Sequence, residues 1–340
     1  MRILIAGLGA IGQRHARNLR ALGGRDVELL AFRQRRLPFV VTERLERDDS
    51  RDVERDLDVR AYADLDEALA ARPDAVFVCT PSSLHLGVAQ RAADAGCHLF
   101  IEKPVSSTLD GLDRLRETLR AHGRNALVGC QWRFHPAVRW LLAVLRAGTL
   151  GRLIRADVEY GEYLPDWHPY EDYRTSYAAR ADLGGGVVLT QIHDYDLAWW
   201  LFGPLGRVTA TGGHLSDLEI DVEDTVDARF DGGVAPVRVR QSIAVRPPRR
   251  AIRVTAERGE VTVDLLNGCV TSTSPGIAPD PGFADFPRNQ MFIEEARHFL
   301  ACVAGEAQPL IPLDEGIDVL RVALAVKEAM RTGTAEAIAS

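Results

Sequence analysis

The stretch Ile3-Leu4-Ile5-Ala6-Gly7-Leu8-Gly9-Ala10-Ile11-Gly12 decides the fold. Its first half is typical of a buried strand, its second half is a Gly-x-Gly-x-x-Gly string, and residues 13–22 have helical character. Glycines allow the tight turn and the close approach of backbone to a pyrophosphate, whose charge is stabilised by free N–H groups at the helix start. The string alone is weak evidence, but this context predicts a dinucleotide site rather than a turn that binds nothing. The residues expected at the cofactor are Gly7, Gly9, Ala10, Ile11 and Gly12.

The chain up to about residue 130 alternates short β-rich runs with helical stretches. Further strands are predicted over residues 27–32, 75–79, 99–101 and 127–130. Helical spacing occurs over residues 65–71 and 84–95, and Gly96 is a natural stop for the second of these helices. The charge-rich segment 33–58 has no clear period and is interpreted as a variable loop and helix region. The alternation predicts an α/β Rossmann domain, a doubly wound parallel sheet with helices on both faces.

Length and composition narrow the class of protein. The 340 residues predict about two domains, which we place at residues 1–130 and 131–340. The net charge of −7 argues against a broad electrostatic interaction with nucleic acid or a membrane surface. Neither a secretory signal nor a bilayer-spanning apolar run is recognisable, and the five dispersed cysteines contain no Cys-x-x-Cys pair. We therefore expect a soluble cytoplasmic protein with reduced thiols.

The end of the second predicted strand bears on the choice of cofactor. About 20 residues after a glycine turn, an Asp or Glu usually binds the ribose hydroxyls of NAD. Here the sequence is Phe32-Arg33-Gln34-Arg35-Arg36. Guanidinium groups can bind a 2′-phosphate through two parallel hydrogen bonds, so Arg33, Arg35 and Arg36 slightly favour NADP over NAD. The alternative is that these arginines form a solvated basic loop.

Two further segments follow predicted strands. They are Cys79-Thr80-Pro81-Ser82-Ser83-Leu84-His85 and Ile101-Glu102-Lys103-Pro104. Both would lie at the carboxyl edge of the sheet, where open α/β sheets bind ligands. With the glycine turn, and in this order and spacing, they resemble the Gfo/Idh/MocA family (glucose-fructose oxidoreductase, inositol dehydrogenase and rhizopine catabolism), whose hallmark is a Glu-Lys-Pro tripeptide. The resemblance covers essentially the whole chain and implies an NAD(P)-dependent oxidoreductase.

Lys103 is the predicted catalytic residue of the first half. A lysine beside a nicotinamide can donate a hydrogen bond to the reacting carbinol or carbonyl oxygen and stabilise the charge that develops there. Glu102 can orient nearby groups, although an isolated Glu-Lys-Pro would more simply be an exposed turn. The resemblance implies that four residues lie along the cofactor: Thr80, Pro81, Ser82 and His85. A helix cap at Ser82 is compatible with that role. The resemblance also implies that the segment after the sixth strand reaches nicotinamide and substrate through Gln131, Trp132 and Arg133.

The second half has a different pattern. A helix is predicted over residues 136–147, and strands over 153–160, 207–213, 225–230, 237–245, 251–256 and 260–265. The turn Glu257-Arg258-Gly259 indicates a hairpin between the last two strands. This arrangement resembles the family's α+β second domain, which has a large, mostly antiparallel sheet. In relatives the open face of that sheet often forms a dimer contact, so we expect a homodimer or homotetramer.

The residues that point to chemistry in the second half follow the glycines 184–186, which permit close packing or ligand approach. Helical spacing places Leu189, Ile192, Trp199 and Phe202 in an apolar stripe, beside a row formed by Thr190, His193 and Asp196. A histidine can accept the hydroxyl proton while a hydride leaves the same carbon, so His193 is the predicted proton-transfer residue. A buried histidine with satisfied hydrogen bonds is the alternative. Thr190 and Asp196 are predicted substrate contacts.

The sequence departs from the family at this helix. Much of the family has an Asp one turn before the His, whereas Leu189 occupies that place here, so an Asp–His dyad is not carried over. The departure resembles the subgroup of surface-polysaccharide and amino-sugar pathways. Asp196 can instead orient His193 or stabilise its charge, although at one helical turn it can also serve packing alone.

The loop over residues 163–174 is rich in aromatic and hydrogen-bonding groups. Such a mixture suits a sugar ring, so Trp167, His168 and Tyr170 are predicted substrate contacts. Packing against a neighbouring subunit is the alternative. No compact metal-ligand spacing is present, and no metal is predicted.

These residues lead to one preferred function and two alternatives. The preferred function is transfer of a hydride between NADP or NAD and a hydroxyl or ketone carbon of a sugar, amino sugar, nucleotide sugar or cyclitol. The first alternative is an NAD-dependent glycosidase of the same family, which would release a free sugar without net cofactor turnover. The second is a noncatalytic sugar- or cofactor-sensing regulator, which would bind dinucleotide without turnover.

Overall fold

A computed structural model describes residues 1–34, 39–42, 45–277 and 281–338. The chain divides into two compact units. The first unit consists of residues 1–130, 168–172 and 289–317, and the second of residues 131–167, 173–288 and the segment from 318 onward. Two later segments thus pack with the first unit although they follow residue 130. Within the described ranges, no helix is both long and apolar enough to cross a membrane.

A six-stranded parallel sheet forms the centre of the first unit. The strands of this unit, including a small antiparallel β3–β4 hairpin, are β1 (Arg2–Ala6), β2 (Glu28–Phe32), β3 (Val40–Val41), β4 (Arg47–Asp48), β5 (Val59–Tyr62), β6 (Ala75–Val78), β7 (His98–Glu102) and β8 (Ala126–Gly129). The sheet order is β5-β2-β1-β6-β7-β8. Counting only these six strands, this is the 3-2-1-4-5-6 order of a doubly wound sheet, whose ligand crevice lies where the order reverses. The predicted Rossmann sheet is confirmed.

The helices up to residue 130 agree with the prediction over residues 13–22, 65–71 and 84–95, whereas the helix over residues 112–121 has no counterpart in the prediction. They are α1 (Ala10–Gly23), α2 (Val53–Asp56), α3 (Leu65–Ala70), α4 (His85–Asp94) and α5 (Leu112–Ala121). Gly96 has a φ of +76° just after α4, which suits glycine at a helix end. The interpretation of segment 33–58 as loop and helix missed the β3–β4 hairpin, and the strand β5 just after that segment was not predicted. β5 is an edge strand with only one buried residue, so its sequence lacks the apolar run by which the other strands were recognised.

The second unit is built on an eight-stranded sheet. Its strands are β9 (Leu153–Tyr163), β10 (Leu205–Gly213), β11 (Thr225–Gly232), β12 (Val237–Ser242), β13 (Ala244–Ala256), β14 (Gly259–Asp264), β15 (Cys269–Ser272) and β16 (Glu336–Ala337). The order is β15-β14-β13-β9-β12-β11-β10-β16, and only the β9–β12 pair is parallel. The mostly antiparallel sheet and the hairpin at residues 257–259 are confirmed. The predicted run 237–245 is wrong at its end, because β12 stops at Ser242 and the chain continues as the long strand β13.

The remaining helices are α6 (Pro136–Arg146), α7 (Val187–Thr190), α8 (His193–Phe202), α9 (Arg288–Val303) and α10 (Leu313–Thr332). The prediction of a continuous helix with one apolar stripe from Leu189 to Phe202 is wrong. The helix breaks at Gln191 and Ile192, where Gln191 has φ −107° and ψ 35°. His193 is therefore the first residue of a new helix and does not continue the row that begins at Thr190.

Most of α9 packs into the core of the first unit. Phe299 is fully buried, and its ring lies edge-on to the stacked rings of Phe77 and Phe100, with centroid distances of 5.2 Å and 5.6 Å. Ala296 belongs to the same cluster. Removing a buried phenylalanine side chain costs about 3–5 kcal/mol of stability, so this C-terminal helix is part of the structure that supports the Rossmann sheet.

Candidate active site

The three glycines of the turn after β1 have different surroundings. Gly7 has a φ of +101°, and a Cβ there would lie 2.6 Å from the carbonyl oxygen of Cys79. A Cβ on Gly12 would collide with the carbonyl group of Gly7. A Cβ on Gly9 would meet no atom within 4 Å. The first and third glycines are thus required by packing, whereas the backbone at Gly9 borders open space that a ligand can approach.

The helix that follows the turn begins with accessible positive charge. Gln13 N–H donates to the Gly9 carbonyl at 2.9 Å, which starts α1 at Ala10. In the described part of the chain no side chain caps this N-terminus, and its first turn contains no acidic residue. Because the first N–H groups of a helix have no intrahelical acceptor, this end favours an anion such as a phosphate group.

The ends of β1, β6 and β7 lie side by side, because these parallel strands are neighbours in the sheet. Gly7, Thr80 and Lys103 follow these three strands, so the sheet brings together the three segments that the sequence singled out. The Thr80 Oγ1 atom is buried without a hydrogen-bond partner among the described residues. A buried hydroxyl of this kind is usually satisfied by a ligand or water. With the open space at Gly9, it fits a bound dinucleotide.

His85 links two of these strand ends. Its Nδ1 lies 2.7 Å from the Pro104 carbonyl oxygen and its Nε2 lies 2.7 Å from the Thr80 carbonyl oxygen. Burial lowers the pKa of His85, against the two carbonyl contacts and the charge of Glu102, which favour the protonated form. The ring therefore holds the two loops together. Ser82 is also buried, while Pro81 is partly exposed.

Lys103 follows a buried hydrogen-bonded pair. Glu102 is 7% exposed, and its Oε1 lies 2.7 Å from Nε2 of the fully buried His15 on α1. Burial alone would raise the pKa of Glu102, but the His15 hydrogen bond and the charges of His15 and Lys103 outweigh it, and the pKa lies below its usual range. The ring of His15 packs against Phe100 at a centroid distance of 4.9 Å. Lys103 itself is half-buried, so its position is fixed by a rigid strand end while its amine can reach a ligand.

The arginines proposed for NADP are only partly described. Arg35 and Arg36 lie outside the described residues. Arg33 is 6% exposed and its Nη1 lies 2.8 Å from Glu54 Oε1, so the alternative of a solvated basic loop is wrong at this position.

In the second unit, His193 begins α8 and is 4% exposed. Gln131 Nε2 lies 3.5 Å from His193 Nε2. Gln131, Trp132 and Arg133 belong to one short 3-10 helix and are all buried. The structure thus places the predicted segment after β8 next to the predicted proton-transfer residue within this unit.

Asp196 contacts an arginine. Both of its carboxylate oxygens accept hydrogen bonds from Arg133, at distances of 2.7 Å and 3.1 Å. The two side chains are 1% and 0% exposed. The Arg133 guanidinium also lies over the Trp200 ring, at 5.2 Å from its centroid. Asp196 therefore fixes α8 to the segment that carries Gln131, and the roles predicted for Arg133 at the cofactor and for Asp196 at the substrate stay predictions.

A second buried pair involves the residue directly after His193. Asp194 is fully buried and accepts hydrogen bonds from Arg250 Nη1 at 2.8 Å and from Gln241 Nε2 at 2.8 Å. Arg250 Nη2 donates to the side-chain oxygen of Gln191 at 2.6 Å, and Tyr195 OH donates to Gln241. These bonds hold the helix break at residues 191–192 in place and thereby set the position of His193.

Sequence reasoning missed Arg250 and Gln241, although the sequence contains a signal for each. Strand residues that face the core recur every second position. Arg250 is in phase with the buried Ile252 and Val254 of β13, and Gln241 is in phase with Val239 of β12. A polar residue on the buried phase of a strand requires a partner, and here the partner is on α8.

The glycine run before α7 is explained by packing. A Cβ on Gly185 would lie 2.6–2.7 Å from the carbonyl oxygens of Tyr177, Ala178 and Arg180. Gly186 has a φ of +92°, and its missing side chain makes room for the Glu223 carboxylate. Of the two roles that the sequence allowed for these glycines, the described residues show close packing.

The remaining predicted substrate contacts are distributed over both units. Thr190 is fully buried, and its hydroxyl donates to the Gly186 carbonyl at 2.6 Å. His168 and Tyr170 belong to the first unit, where His168 Nδ1 lies 3.0 Å from Glu171 Oε1 and the Tyr170 ring lies 5.9 Å from that of Phe39. Trp167 belongs to the second unit, and its Nε1 is buried without a partner in the described ranges.

Comparisons with known proteins agree with this architecture. A family described as "Oxidoreductase family, NAD-binding Rossmann fold" (GFO_IDH_MocA) matches residues 1–130, and the GFO/IDH/MocA C-terminal domain matches residues 138–262. Among curated relatives, the myo-inositol 2-dehydrogenase of Thermotoga maritima is 27% identical over 97% of this chain and 96% of its own length. The UDP-N-acetylglucosamine 3-dehydrogenase of Acidithiobacillus ferrooxidans is 28% identical over 97% of both chains.

Solved structures show the same fold. The WlbA dehydrogenase from Bordetella pertussis, solved with NADH and UDP-GlcNAcA, superposes with a TM-score of 0.82 at 22% identity, covering 100% of this chain and 99% of that chain. The Acidithiobacillus ferrooxidans UDP-N-acetylglucosamine 3-dehydrogenase superposes with a TM-score of 0.74 at 25% identity, covering 98% of each chain. With the strand-end motifs and both domain matches, these findings show that the chain belongs to the Gfo/Idh/MocA family of oxidoreductases with an NAD-binding Rossmann fold.

Proposed function

We propose that this chain is an NAD(P)-dependent oxidoreductase that acts on a hydroxyl or ketone carbon of a sugar, amino sugar, nucleotide sugar or cyclitol. The observation that carries the proposal is the row of neighbouring strand ends at Gly7, Thr80 and Lys103, with open space at Gly9. Relatives that match nearly the full chain act on myo-inositol and on UDP-N-acetylglucosamine. Their substrates share secondary hydroxyl groups on a ring, which is the substrate chemistry we propose here.

The proposed chemistry divides between two side chains. A bound nicotinamide supplies the group that accepts or donates a hydride. Lys103 donates a hydrogen bond to the reacting oxygen and stabilises its developing negative charge. His193 accepts the hydroxyl proton during oxidation and returns it during reduction. Gln131, whose amide lies 3.5 Å from the His193 ring, orients that ring.

The proposal assigns the dinucleotide to residues 1–130 and substrate recognition to residues 131–340. The residues proposed at the cofactor are Gly7, Gly9, Ala10, Ile11, Gly12, Arg33, Arg35, Arg36, Thr80, Pro81, Ser82, His85, Glu102, Lys103, Gln131 and Arg133. Those proposed at the substrate are Lys103, Trp132, Trp167, His168, Tyr170, Thr190, His193 and Asp196. We also propose a homodimer or homotetramer, which light scattering coupled to gel filtration tests directly.

The choice between NADP and NAD is a finer part of the proposal. The arginines after β2 favour NADP on charge. Arg33, however, is engaged by Glu54 at 2.8 Å. The preference for NADP therefore depends on which of the two side chains, Arg33 or Glu54, contacts the adenosine ribose.

The proposed function is tested on the purified protein in two steps. Mass spectrometry of the denatured protein first identifies any dinucleotide or sugar that co-purifies. Absorbance at the reduced-nicotinamide band then follows turnover with NAD and NADP across a panel of free sugars, cyclitols and nucleotide sugars. Turnover with at least one member is expected. Dinucleotide binding without turnover across the panel would indicate a regulator, and release of free sugar without net cofactor change would indicate a glycosidase.

A further inference from the structure

Arg33 occupies the position whose side chain usually contacts the adenosine ribose in a Rossmann fold. It directly follows β2, and its N–H donates to the Tyr62 carbonyl at 2.9 Å. The preceding residue, Phe32, accepts a hydrogen bond at 3.0 Å from the N–H of Gly7, the first glycine of the turn. Arg33 is thus tied to the glycine turn through its neighbour. In this fold an acid at the end of the second strand binds the ribose hydroxyls of NAD.

An acidic residue 21 positions later in the chain contacts Arg33. Glu54 Oε1 lies 2.8 Å from Arg33 Nη1, and the side chains of Arg33 and Glu54 are 5% and 37% exposed. The carboxylate is therefore the outer group of the pair and the guanidinium is the inner one. The carboxylate is thus the group of this pair that a ligand can contact, and the buried guanidinium of Arg33 compensates its charge.

The position of Glu54 is set by its own short helix. Asp52 is the N-cap of α2, and its carboxylate accepts a hydrogen bond from Arg55 N–H at 2.8 Å. Val53, in the first turn, is 3% exposed and belongs to the core of the first unit. A capped helix with a buried first residue thus places Glu54 within reach of Arg33.

We propose that Glu54 is the residue that sets the choice between NAD and NADP. Its carboxylate accepts hydrogen bonds from the adenosine ribose hydroxyls, and by covering and neutralising Arg33 it disfavours a 2′-phosphate. The proposal rests on the proposed function only in that a nicotinamide dinucleotide binds. It predicts opposite consequences for the two partners. Loss of the Glu54 charge exposes Arg33 to a 2′-phosphate, whereas loss of Arg33 leaves an uncompensated carboxylate that repels one.

The test is direct binding of reduced dinucleotide, measured by nucleotide fluorescence in the absence of substrate. For Glu54→Gln, we expect the ratio of the NADPH Kd to the NADH Kd to fall about tenfold or more, because a charge-assisted hydrogen bond replaces a repulsion. For Arg33→Met, the same ratio is expected to rise. Glu28→Gln is the matched control, since Glu28 begins β2 and pairs with Arg2 at 2.9 Å at the opposite end of the strand.

The outcomes separate this inference from the proposed function. An unchanged Kd ratio in Glu54→Gln overturns the assignment of Glu54, even if both affinities fall together. A ratio that moves in the same direction in Glu54→Gln and Arg33→Met overturns it as well. Failure of the unmodified protein to bind either nucleotide contradicts the proposed function itself. Arg35 and Arg36 are unchanged in every variant, so they cannot produce a difference between them.

Discussion

The surroundings of Lys103 and His193 are built in different ways. Lys103 follows a strand end, and its neighbour Glu102 pairs with one imidazole, that of His15, within an aromatic cluster. His193 is followed in α8 by two aspartates, each paired with an arginine from another part of the chain. Asp194 pairs with Arg250 and Asp196 with Arg133, at sequence separations of 56 and 63 residues. The first region depends on backbone path and local motif, and the second on long-range ion pairs.

The glycines of the two regions differ in the space around them. Gly9 of the first region borders open space, which leaves the backbone accessible to a ligand. A Cβ on Gly185 of the second region would lie within 2.7 Å of three carbonyl oxygens. Packing thus explains Gly185 and also Gly7 and Gly12, whereas only Gly9 borders space that is open to a ligand. The comparison predicts that variants of the first region mainly change binding and rate, and that variants of the second change stability as well.

The largest expected effect is that of Lys103→Ala. If Lys103 stabilises charge on the reacting oxygen, kcat/KM falls about 10³-fold, the loss typical of removing one such donor. The melting temperature is expected to change little, because the side chain is only half-buried.

The chain offers a matched control, since it contains only two lysines. Lys327 of α10 pairs with Glu223 at 3.1 Å in the second unit. Lys327→Met is expected to lower the melting temperature and leave kcat/KM nearly unchanged. Retention of most kcat/KM in a folded Lys103→Ala protein would remove the catalytic role of Lys103.

The next largest effect is expected from Arg250→Met. Removing one partner of a buried ion pair leaves the other charge without compensation, which costs about 3–5 kcal/mol. Urea denaturation should show this loss of stability, and kcat/KM should fall while the NADH Kd stays constant. The double variant Arg250→Met/Asp194→Asn should recover part of the stability, because the uncompensated carboxylate is gone. Equal stabilities for the single and double variants would show that the ion pair does not hold α8.

A smaller effect is expected from pH through His135, the N-cap of α6. Burial lowers the pKa of His135 to about 4, from an ordinary value of 6.5. Below pH 6.5 the histidine is protonated in the unfolded chain, but in the folded chain it stays neutral down to about pH 4. The free energy of unfolding therefore falls as the pH decreases through this window. The loss amounts to at most about 3.4 kcal/mol, from 1.36 kcal/mol for each of about 2.5 pKa units.

His135→Asn tests this dependence because asparagine can also cap a helix but does not titrate. As the pH falls from 7 to 4, the unmodified protein should lose more unfolding free energy than His135→Asn does. The pKa of Glu102 is lowered, so its contribution to stability is lost only below its ordinary pKa, at the acid end of the same range. A constant difference between pH 7 and pH 4 would contradict the assignment of the pH dependence to His135.

The first region was the more predictable one for a physical reason. The glycine turn and the segments at Thr80 and Lys103 are each contiguous in sequence, and the parallel sheet order brings their strand ends together. Local sequence and one topological rule were therefore sufficient. The edge strand β5 escaped prediction because it buries little apolar surface, so the hydrophobic pattern that marks other strands is absent.

The second region could be predicted only in part, because its geometry depends on partners far apart in sequence. The break at residues 191–192 follows from bonds to Arg250 and Gln241, and helical periodicity contains no information about them. Orientation of His193 and packing alone were the two roles that the sequence left open for Asp196, and the sequence did not show that its carboxylate accepts hydrogen bonds from Arg133. The pairing of Glu54 with Arg33 likewise depends on a fold that returns α2 to the end of β2. Such contacts can be suspected from a polar residue on a buried strand face, but their partners cannot be identified from one sequence.

The smallest expected effect is a change in the NADH Kd of Gly9→Ala, compared with a second glycine that also borders open space. Gly9→Ala adds a methyl group where nothing lies within 4 Å, so the folded protein accommodates it and its melting temperature is nearly unchanged. A dinucleotide that approaches this backbone would meet the methyl group, and the NADH Kd is expected to rise about tenfold. Gly87→Ala is the matched control, because Gly87 of α4 also borders open space. Alanine there should raise stability by about 0.5–1 kcal/mol through helix propensity and leave the Kd unchanged. Equal Kd values for the two variants would mean that the dinucleotide does not bind at the open space beside Gly9. The proposed difference in function between the two glycine runs would then be wrong.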